Sequence, residues 1–383
     1  MSVILDISTA VPEFSIAKND LFNFYKQALA ASGMPEINKK LSFLLEKTKI
    51  TSRYSCIPDF EGKEFKLFTE NNYQPPVEKR MDVYKEMILP IGKKSIDSIL
   101  RNNNIKPGDV THLITVSCTG MFAPGFEFLV ADHYGLQHTE KIALNFLGCY
   151  AALKALKHAN YIAQANPEAC ILIVSAELCS IHFIPSITDE DIVANLLFAD
   201  GAASAIVCGE KSKLIKDKFV LKIDSIGSAC IPNSADQMTW NISSSAFRMY
   251  LSKHLVKTIK DNIKSVVDRF LKNNSSETGY WAIHPGGVRI VEAVKESLHL
   301  TDSNVEDSLD VLQNYGNMSS PTILFILHSI LNKIRSSEYS SDKNIFACAF
   351  GPGLTVEMIQ LSPINSALLK NFKHISSNHA VQV

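Results

Sequence analysis

The 383-residue sequence has no excess of charge of either sign. It carries 38 lysines and arginines against 39 aspartates and glutamates, a net charge of −1. A protein whose main task is binding nucleic acid needs a basic excess to neutralise phosphates, so that function is not expected. A small basic patch that binds an anionic ligand remains compatible with this composition.

The sequence also lacks a CxxC pair, a signal-like start and an apolar run of membrane-spanning length. The eight cysteines are scattered, which is typical of reduced thiols in a cytosolic protein, and no metal-ligand spacing is present. Residues 1–7 lack a cationic region and a signal-length apolar core. No stretch reaches the roughly 20 apolar residues that a transmembrane helix needs. We therefore expect a cytoplasmic protein without a metal ion or membrane contact.

Strands and helices alternate along the chain, which predicts an α/β fold with two similar halves, residues 1–215 and 216–383. The hydrophobic content of 46% is sufficient for a large core. The correspondences between the halves are the strand and loop at 117–118 with 284–285, the turn at 148–149 with 316–317, and the strand at 171–176 with 345–350.

The stretch 143–153 runs from an apolar strand through Gly148 and Cys149 into a helical pattern. Cys149 is thereby predicted at the start of a helix, where free N–H groups and the helix dipole favour the thiolate, the nucleophilic form. A buried and inert cysteine is the alternative for a single cysteine in this position.

If the halves pack about a pseudo-two-fold axis, the helix starts at Cys149 and Asn317 meet, and His284 ends a neighbouring strand. Cys149 would attack an acyl carbonyl, with His284 holding the thiolate and donating to an oxyanion. Asn317 would add an uncharged donor, as the decarboxylation of a malonyl thioester requires. Taken singly, His284 could be a hydrogen-bonded core histidine and Asn317 a helix cap.

Five motifs match one enzyme family in order and spacing. They are Leu-Gly-Cys-Tyr-Ala-Ala at 147–152, Leu-Phe-Ala-Asp-Gly-Ala-Ala at 197–203, Ile-His-Pro-Gly-Gly at 283–287, Tyr-Gly-Asn-Met-Ser-Ser at 315–320 and Phe-Gly-Pro-Gly-Leu-Thr-Val-Glu at 350–357. With them the chain resembles the type III polyketide synthases, the chalcone-synthase-like family, over essentially its whole length.

The resemblance implies a thiolase fold of five αβαβα layers, a homodimer and no permanently bound cofactor. It implies that a starter acyl-CoA is loaded on Cys149 and that malonyl-CoA is decarboxylated beside His284 and Asn317. Repeated condensation and cyclisation would follow. Whether CoA or an acyl carrier protein delivers the starter stays open, as do the starter, the number of extensions and the ring closure.

The resemblance also assigns roles around the catalytic residues. Phe198 and Phe247 match the two gatekeeper phenylalanines between the CoA tunnel and the cavity. Lys47 matches a basic position that meets CoA phosphates, and Lys40 and Arg289 are further candidates for the same task.

Other positions depart from the plant enzymes of the family. Cys118 lies in a loop where cysteine occurs in bacterial-type relatives. Cys179 and His182 stand where plant enzymes have smaller threonines, and Met238 falls near a position that is often glycine. These changes predict a bacterial-type member with a reshaped cavity and put the chalcone reaction itself in doubt.

Three other functions are compatible with parts of this pattern. A ketoacyl synthase III-like enzyme would perform a single condensation, but the motifs at 283–287 and 315–320 speak against it. A Cys-His-Asn thioesterase or hydrolase would release no CO2 from malonyl-CoA. A non-catalytic acyl-binding protein would show no selective alkylation of Cys149 near neutral pH.

Overall fold

The computed structural model describes residues 1–272 and 278–367. Its strands are β1 (Ser2–Ala10), β2 (Phe14–Ala17), β3 (Ser52–Ser55), β4 (His112–Ser117), β5 (Glu140–Asn145), β6 (Cys170–Leu178), β7 (Asp200–Gly209), β8 (Phe219–Cys230), β9 (Met238–Ile242), β10 (Phe247–Leu251), β11 (Thr278–Ile283), β12 (Asn344–Gly351) and β13 (Thr355–Asn365). Its α-helices are α1 (Lys18–Ala31), α2 (Asn38–Lys47), α3 (Val77–Asn103), α4 (Phe126–Tyr134), α5 (Ala151–Ala165), α6 (Asp189–Leu197), α7 (Leu255–Leu271), α8 (Val288–Ser297), α9 (Asp302–Tyr315) and α10 (Thr322–Arg335).

Nine strands form one sheet whose two sides repeat the same order. The sheet runs β11-β12-β13-β8-β1-β7-β6-β4-β5, and its centre is the antiparallel pair β1 and β8. Outward from the centre, β7, β6 and β4 on one side correspond to β13, β12 and β11 on the other. The two similar halves are thus confirmed. The boundary at 215/216 stays a prediction, and residues 368–383 of the second half lie outside the described residues.

Alternating side chains of the strands define the layers. In β6, Ile171 and Ile173 pack against a central core, whereas Leu172 and Val174 face an outer core with α3. The central core contains α5, α10 and side chains from both halves of the sheet. A further outer core joins α7 and α8 to the other face of β12. The two halves of the sheet thus lie on either side of the central helices, and each half is covered on its outer face by further helices. This order of layers, α, β, α, β, α, confirms the predicted fold class.

The sequence pattern predicts a long helix over residues 246–270, and this prediction is wrong at its start. Residues 247–251 form β10, which pairs with β9 in a separate two-stranded sheet, and α7 begins only at Leu255. The apolar residues Phe247, Met249 and Leu251 alternate with exposed ones, which is the period of a strand. Phe247 therefore lies on a hairpin, which places its ring in the wall of a cavity.

Among residues 1–272 and 278–367, no helix combines the length and apolar character needed to cross a bilayer. The same residues hold no group of three or more His, Cys, Asp or Glu side chains arranged to bind a metal ion.

Candidate active site

Cys149 lies in a tight turn between β5 and α5. Gly148 has a φ of +85°, and a Cβ on it would lie 2.5 Å from Cδ of Pro352, in the loop after β12. A residue other than glycine would therefore be strained and would displace this loop. Cys149 itself is 6% exposed and lies one residue before Tyr150, the N-cap of α5, close to the free N–H groups of the helix start. The close approach fixes the turn of Cys149 in one half against a loop of the other half.

Asn317 lies in the corresponding turn before α10. Its backbone N–H donates to the carbonyl of Leu197 (2.9 Å), and its own carbonyl accepts from the N–H of Ala199 (2.9 Å). Its Oδ1 accepts from the backbone N–H of Ser319 at 2.8 Å. The helix begins at Thr322 after an N-cap at Pro321, so the alternative that Asn317 caps this helix is wrong.

A short chain of contacts joins the two turns. Sγ of Cys149 lies 3.6 Å from Oγ of Ser319, whose backbone N–H is bound to the side chain of Asn317. The predicted meeting of the two helix starts is therefore present in the structure. Because Oδ1 of Asn317 is already an acceptor, the amide nitrogen is left to donate to a further group.

His284 directly follows β11, an end strand of the sheet. The neighbouring strand β12 leads into the loop that contains Pro352. Its backbone N–H donates to the carbonyl of Cys348 in β12 (2.9 Å), and its side chain is 1% exposed. Within the described residues, neither ring nitrogen has a hydrogen-bond partner. A buried polar group without a partner is unfavourable unless something else satisfies it. This excludes a hydrogen-bonded core histidine and leaves both nitrogens free for a substrate.

Burial shifts the pKa values of both Cys149 and His284. It raises the pKa of the Cys149 thiol to about 12, an effect that the nearby Glu177 carboxylate reinforces and Ser319 opposes. Burial likewise lowers the pKa of His284 to about 3. A single charge is thus disfavoured on either residue, although the helix start favours a thiolate. Proton transfer from Cys149 to His284 leaves the net charge unchanged, so the two shifts do not forbid an ion pair.

Glu177, which the motif analysis did not select, lies fully buried at the end of β6 beneath these turns. It accepts hydrogen bonds from the N–H of Cys118 (2.8 Å), from Oγ1 of Thr119 (2.8 Å) and from Oγ of Ser320. Burial raises the pKa of this carboxyl. Its signal in the sequence is a single acid near the end of an apolar strand. The contacts tie the loop after β4 to the turn before α10.

Four predicted cavity residues line one cavity. Phe198, Phe247, Cys179 and His182 surround a free volume of about 50 Å³. This volume is small, so the side chains that line the cavity limit what it can hold. Cys149, His284 and Asn317 are not among the lining residues. Phe198 nevertheless pairs through its backbone with Asn317, so the cavity wall is continuous with the turn before α10.

The structure places two other predicted cavity residues elsewhere. Cys118 is buried under the nucleophile turn, where its Sγ accepts from the N–H of Gly148 at 2.9 Å. Met238, in β9, packs in the outer core of the second half. Neither lines the cavity described above, and their role in shaping it stays a prediction. Trp240, two residues beyond Met238, does line it and was not predicted.

The three basic residues predicted for CoA lie on two elements. Lys47 ends α2, and Arg289 lies exposed in the first turn of α8. An ion pair between Lys49, two residues after α2, and Glu292 of α8 connects the two regions (3.7 Å). Lys40 instead pairs with Asp189 at the start of α6 and donates to a backbone carbonyl. CoA binding by these residues stays a prediction.

Comparison with known proteins decides the family. Residues 1–211 match the N-terminal domain of the chalcone and stilbene synthases, and residues 222–365 match their C-terminal domain. The chain belongs to the chalcone and stilbene synthase family. The predicted resemblance to type III polyketide synthases is thereby confirmed.

Relatives of this synthase cover nearly all of its length. The alpha-pyrone synthesis polyketide synthase-like Pks18 of Mycobacterium tuberculosis is 28% identical over 363 residues, 93% of this chain and 90% of the relative. The same values hold for Pks18 of Mycobacterium bovis. The crystal structure of PKS-I from the brown alga Ectocarpus siliculosus has a TM-score of 0.87 and 28% identity, covering 95% of this chain and 98% of the other.

Proposed function

We propose that this type III polyketide synthase is a decarboxylating acyltransferase that uses Cys149 as nucleophile with His284 and Asn317 as its partners. The observation that carries the proposal is the buried His284 ring, whose two nitrogens have no hydrogen-bond partner in the described part of the chain. An imidazole kept free in this way supports a role on a substrate atom. The contacts between Cys149, Ser319 and Asn317 support a shared site.

In the loading step, the Cys149 proton moves to His284 and the sulfur attacks the carbonyl of an acyl-CoA. The tetrahedral intermediate collapses to an acyl thioester on Cys149. The CoA sulfur leaves and takes up the proton from His284, so no net charge accumulates in the site.

In the extension step, malonyl-CoA loses CO2 and becomes the enolate of acetyl-CoA. His284 and the free amide nitrogen of Asn317 would both donate to the enolate oxygen, which favours the decarboxylation. The enolate carbon attacks the thioester on Cys149 and releases a 3-ketoacyl-CoA and the Cys149 sulfur. Reloading of this product allows further rounds, and cyclisation to a pyrone, a resorcinol or a related aromatic ring ends the sequence.

The proposal extends to the ligands and partners predicted from the sequence. The substrates are acyl-CoA and malonyl-CoA, with Lys47, Lys40 and Arg289 near the CoA phosphates and no permanently bound cofactor. Delivery by an acyl carrier protein and a cytoplasmic location stay predictions.

A homodimer is proposed as well. In support, β5 is an end strand of the sheet with half-buried Ile142 and Leu144, and an unpaired strand edge is suited to a second copy. Light scattering at micromolar concentration should give twice the mass of one chain, and the mass of a single chain would contradict the dimer.

A product screen by mass spectrometry tests the enzymatic proposal. The enzyme is incubated with malonyl-CoA and short, long or aromatic acyl-CoAs, with Cys149→Ala and the exposed Cys230→Ala as paired variants. We expect cyclised polyketides from wild type and from Cys230→Ala, and none from Cys149→Ala. A single 3-ketoacyl product would favour the ketoacyl synthase III-like function. Free acid without CO2 release would favour a hydrolase.

A further inference from the structure

We infer that Arg80 and His182 are positioning residues that hold the gatekeeper Phe247 in the cavity wall and thereby determine which acyl chains the synthase accepts. This inference rests on the proposed function. Arg80, His182 and the backbone around Phe247 form one closed ring of hydrogen bonds, which we call the wall ring. The ring spans α3, the short helical turn after β6 and the hairpin of β9 and β10.

Arg80 lies at the base of the wall ring. Its guanidinium is fully buried in the first turns of α3, and one nitrogen, Nη1, donates to the carbonyls of Ile181 and Phe183, on either side of His182. Nε donates to the carbonyl of Ser245, two residues before Phe247. One planar group thus fixes the two backbone segments that carry His182 and Phe247, which a lysine could not do with the same geometry.

His182 closes the wall ring. Its Nδ1 accepts from the backbone N–H of Phe247 at 3.1 Å, and its Nε2 donates to the carbonyl of Thr119 at 2.7 Å. These bonds select one neutral tautomer, because Nδ1 must stay unprotonated to accept. Burial also lowers the pKa of His182 to about 3, so this neutral form persists over the working range of an enzyme.

The ring of Phe247 is fixed by stacking as well as by its backbone. It lies parallel to the imidazole of His182, with centroids 4.5 Å apart and an interplanar angle of 14°. The rings of Phe146 and Trp240 meet it edge-on at 5.6 and 6.0 Å. Such contacts each favour one orientation of the ring. With a free volume of about 50 Å³, a wall that cannot yield on this side restricts the bulk of the acyl chain.

The test compares His182→Leu with His182→Gln. Glutamine retains one acceptor and one donor, whereas leucine retains neither. For each variant, kcat/KM is measured with hexanoyl-CoA and dodecanoyl-CoA as starters. We expect His182→Leu to raise the ratio of kcat/KM for dodecanoyl-CoA to kcat/KM for hexanoyl-CoA by about tenfold or more. Differences of a few methylenes change kcat/KM by such factors in apolar pockets. His182→Gln should stay within about twofold of wild type, since it preserves the acceptor for Phe247.

Controls separate this effect from a general loss of stability. His328→Leu removes another largely buried imidazole, one bound to the carbonyl of Ile7 (2.7 Å) outside the cavity, and should leave the ratio unchanged. Arg80→Lys opens the wall ring at its base and should shift the ratio in the same direction as His182→Leu. An unchanged ratio in His182→Leu, or equal shifts in the leucine and glutamine variants, would overturn the inference.

Hydrogen exchange of the wild-type enzyme gives a measurement that needs no variant. The amide of Phe247 should exchange slowly, because it is bound to a buried acceptor. Fast exchange at this amide would refute the wall ring. If wild type forms no polyketide from any starter, the proposed function fails. If wild type forms polyketides and the variants keep its starter preference, only the inference about the wall ring fails.

Discussion

The proton acceptor for Cys149 can be tested by replacing His284 with leucine and following alkylation. In the structure, burial raises the pKa of Cys149 to about 12. At pH 8 such a thiol is about one ten-thousandth thiolate, whereas an ordinary exposed thiol with a pKa of about 8.5 is about one-quarter thiolate. In the proposed loading step His284 takes this proton, and His284→Leu removes it. We therefore expect Cys149 in His284→Leu to react at least about a thousandfold more slowly than an exposed cysteine.

The chain contains its own reference for this experiment. Cys230 is exposed, so its iodoacetamide adduct, quantified by peptide mass spectrometry, reports the rate of an ordinary thiol in the same sample. In wild type, Cys149 should react at least as fast as Cys230, because His284 holds the proton. Asn317→Ala should keep this fast alkylation while losing condensation.

The pH dependence of the alkylation rate at Cys149 also distinguishes His284→Leu from wild type. In His284→Leu, the rate at Cys149 should rise about tenfold for each pH unit up to pH 10, since only the thiolate reacts and its fraction increases with pH. In wild type the rate should vary much less, because the proposed proton transfer to His284 would supply thiolate at neutral pH. Equal rates and equal pH profiles for the two enzymes would show that His284 does not take the proton, and the proposed loading step would be refuted.

Three further substitutions test other parts of the structure. Gly148→Ala places a methyl group 2.5 Å from Cδ of Pro352 at a φ of +85°, and should lower both the melting temperature and the rate of loading on Cys149; an unchanged rate would contradict the close approach. Lys154→Met removes the nearer of two lysines paired with the buried Glu357 and should lower the free energy of unfolding by about 1–3 kcal/mol in urea, with recovery in Lys154→Arg. Phe198→Ala should raise kcat/KM for bulky starters, because it removes a large side chain from the wall of a small cavity, and a fall with every starter would assign Phe198 to binding instead.

The candidate catalytic residues could be selected from the sequence because each lies in a local pattern. An apolar strand followed by glycine and a helical pattern predicted the turn at Cys149. The internal repeat then predicted that Asn317 occupies the equivalent turn. Local patterns also predicted most strands of the sheet, since strands that are buried on both faces appear in the sequence as short apolar runs. The roles of these residues in catalysis stay predictions that the experiments above address.

Residues that act through long-range contacts were missed. Glu177 and Arg80 gave no motif, and only the packing of three distant segments around each shows what it holds. The hairpin of β9 and β10 was missed for a related reason. Residues 246–256 are compatible with both a helical and an alternating apolar pattern, and pairing with the strand Met238–Ile242 decided between them.

From the order of residues alone came the fold class, the two similar halves and the family, because strand and helix periods and glycine-containing turns are local properties of a chain. The tertiary structure decided the electrostatic environment of the site and the shape of the cavity. Both depend on how deeply a side chain is buried and on which distant segments face it. Burial opposes a lone charge on Cys149 or His284, and hydrogen bonds from Arg80 and to His182 connect separate segments of the chain around Phe247.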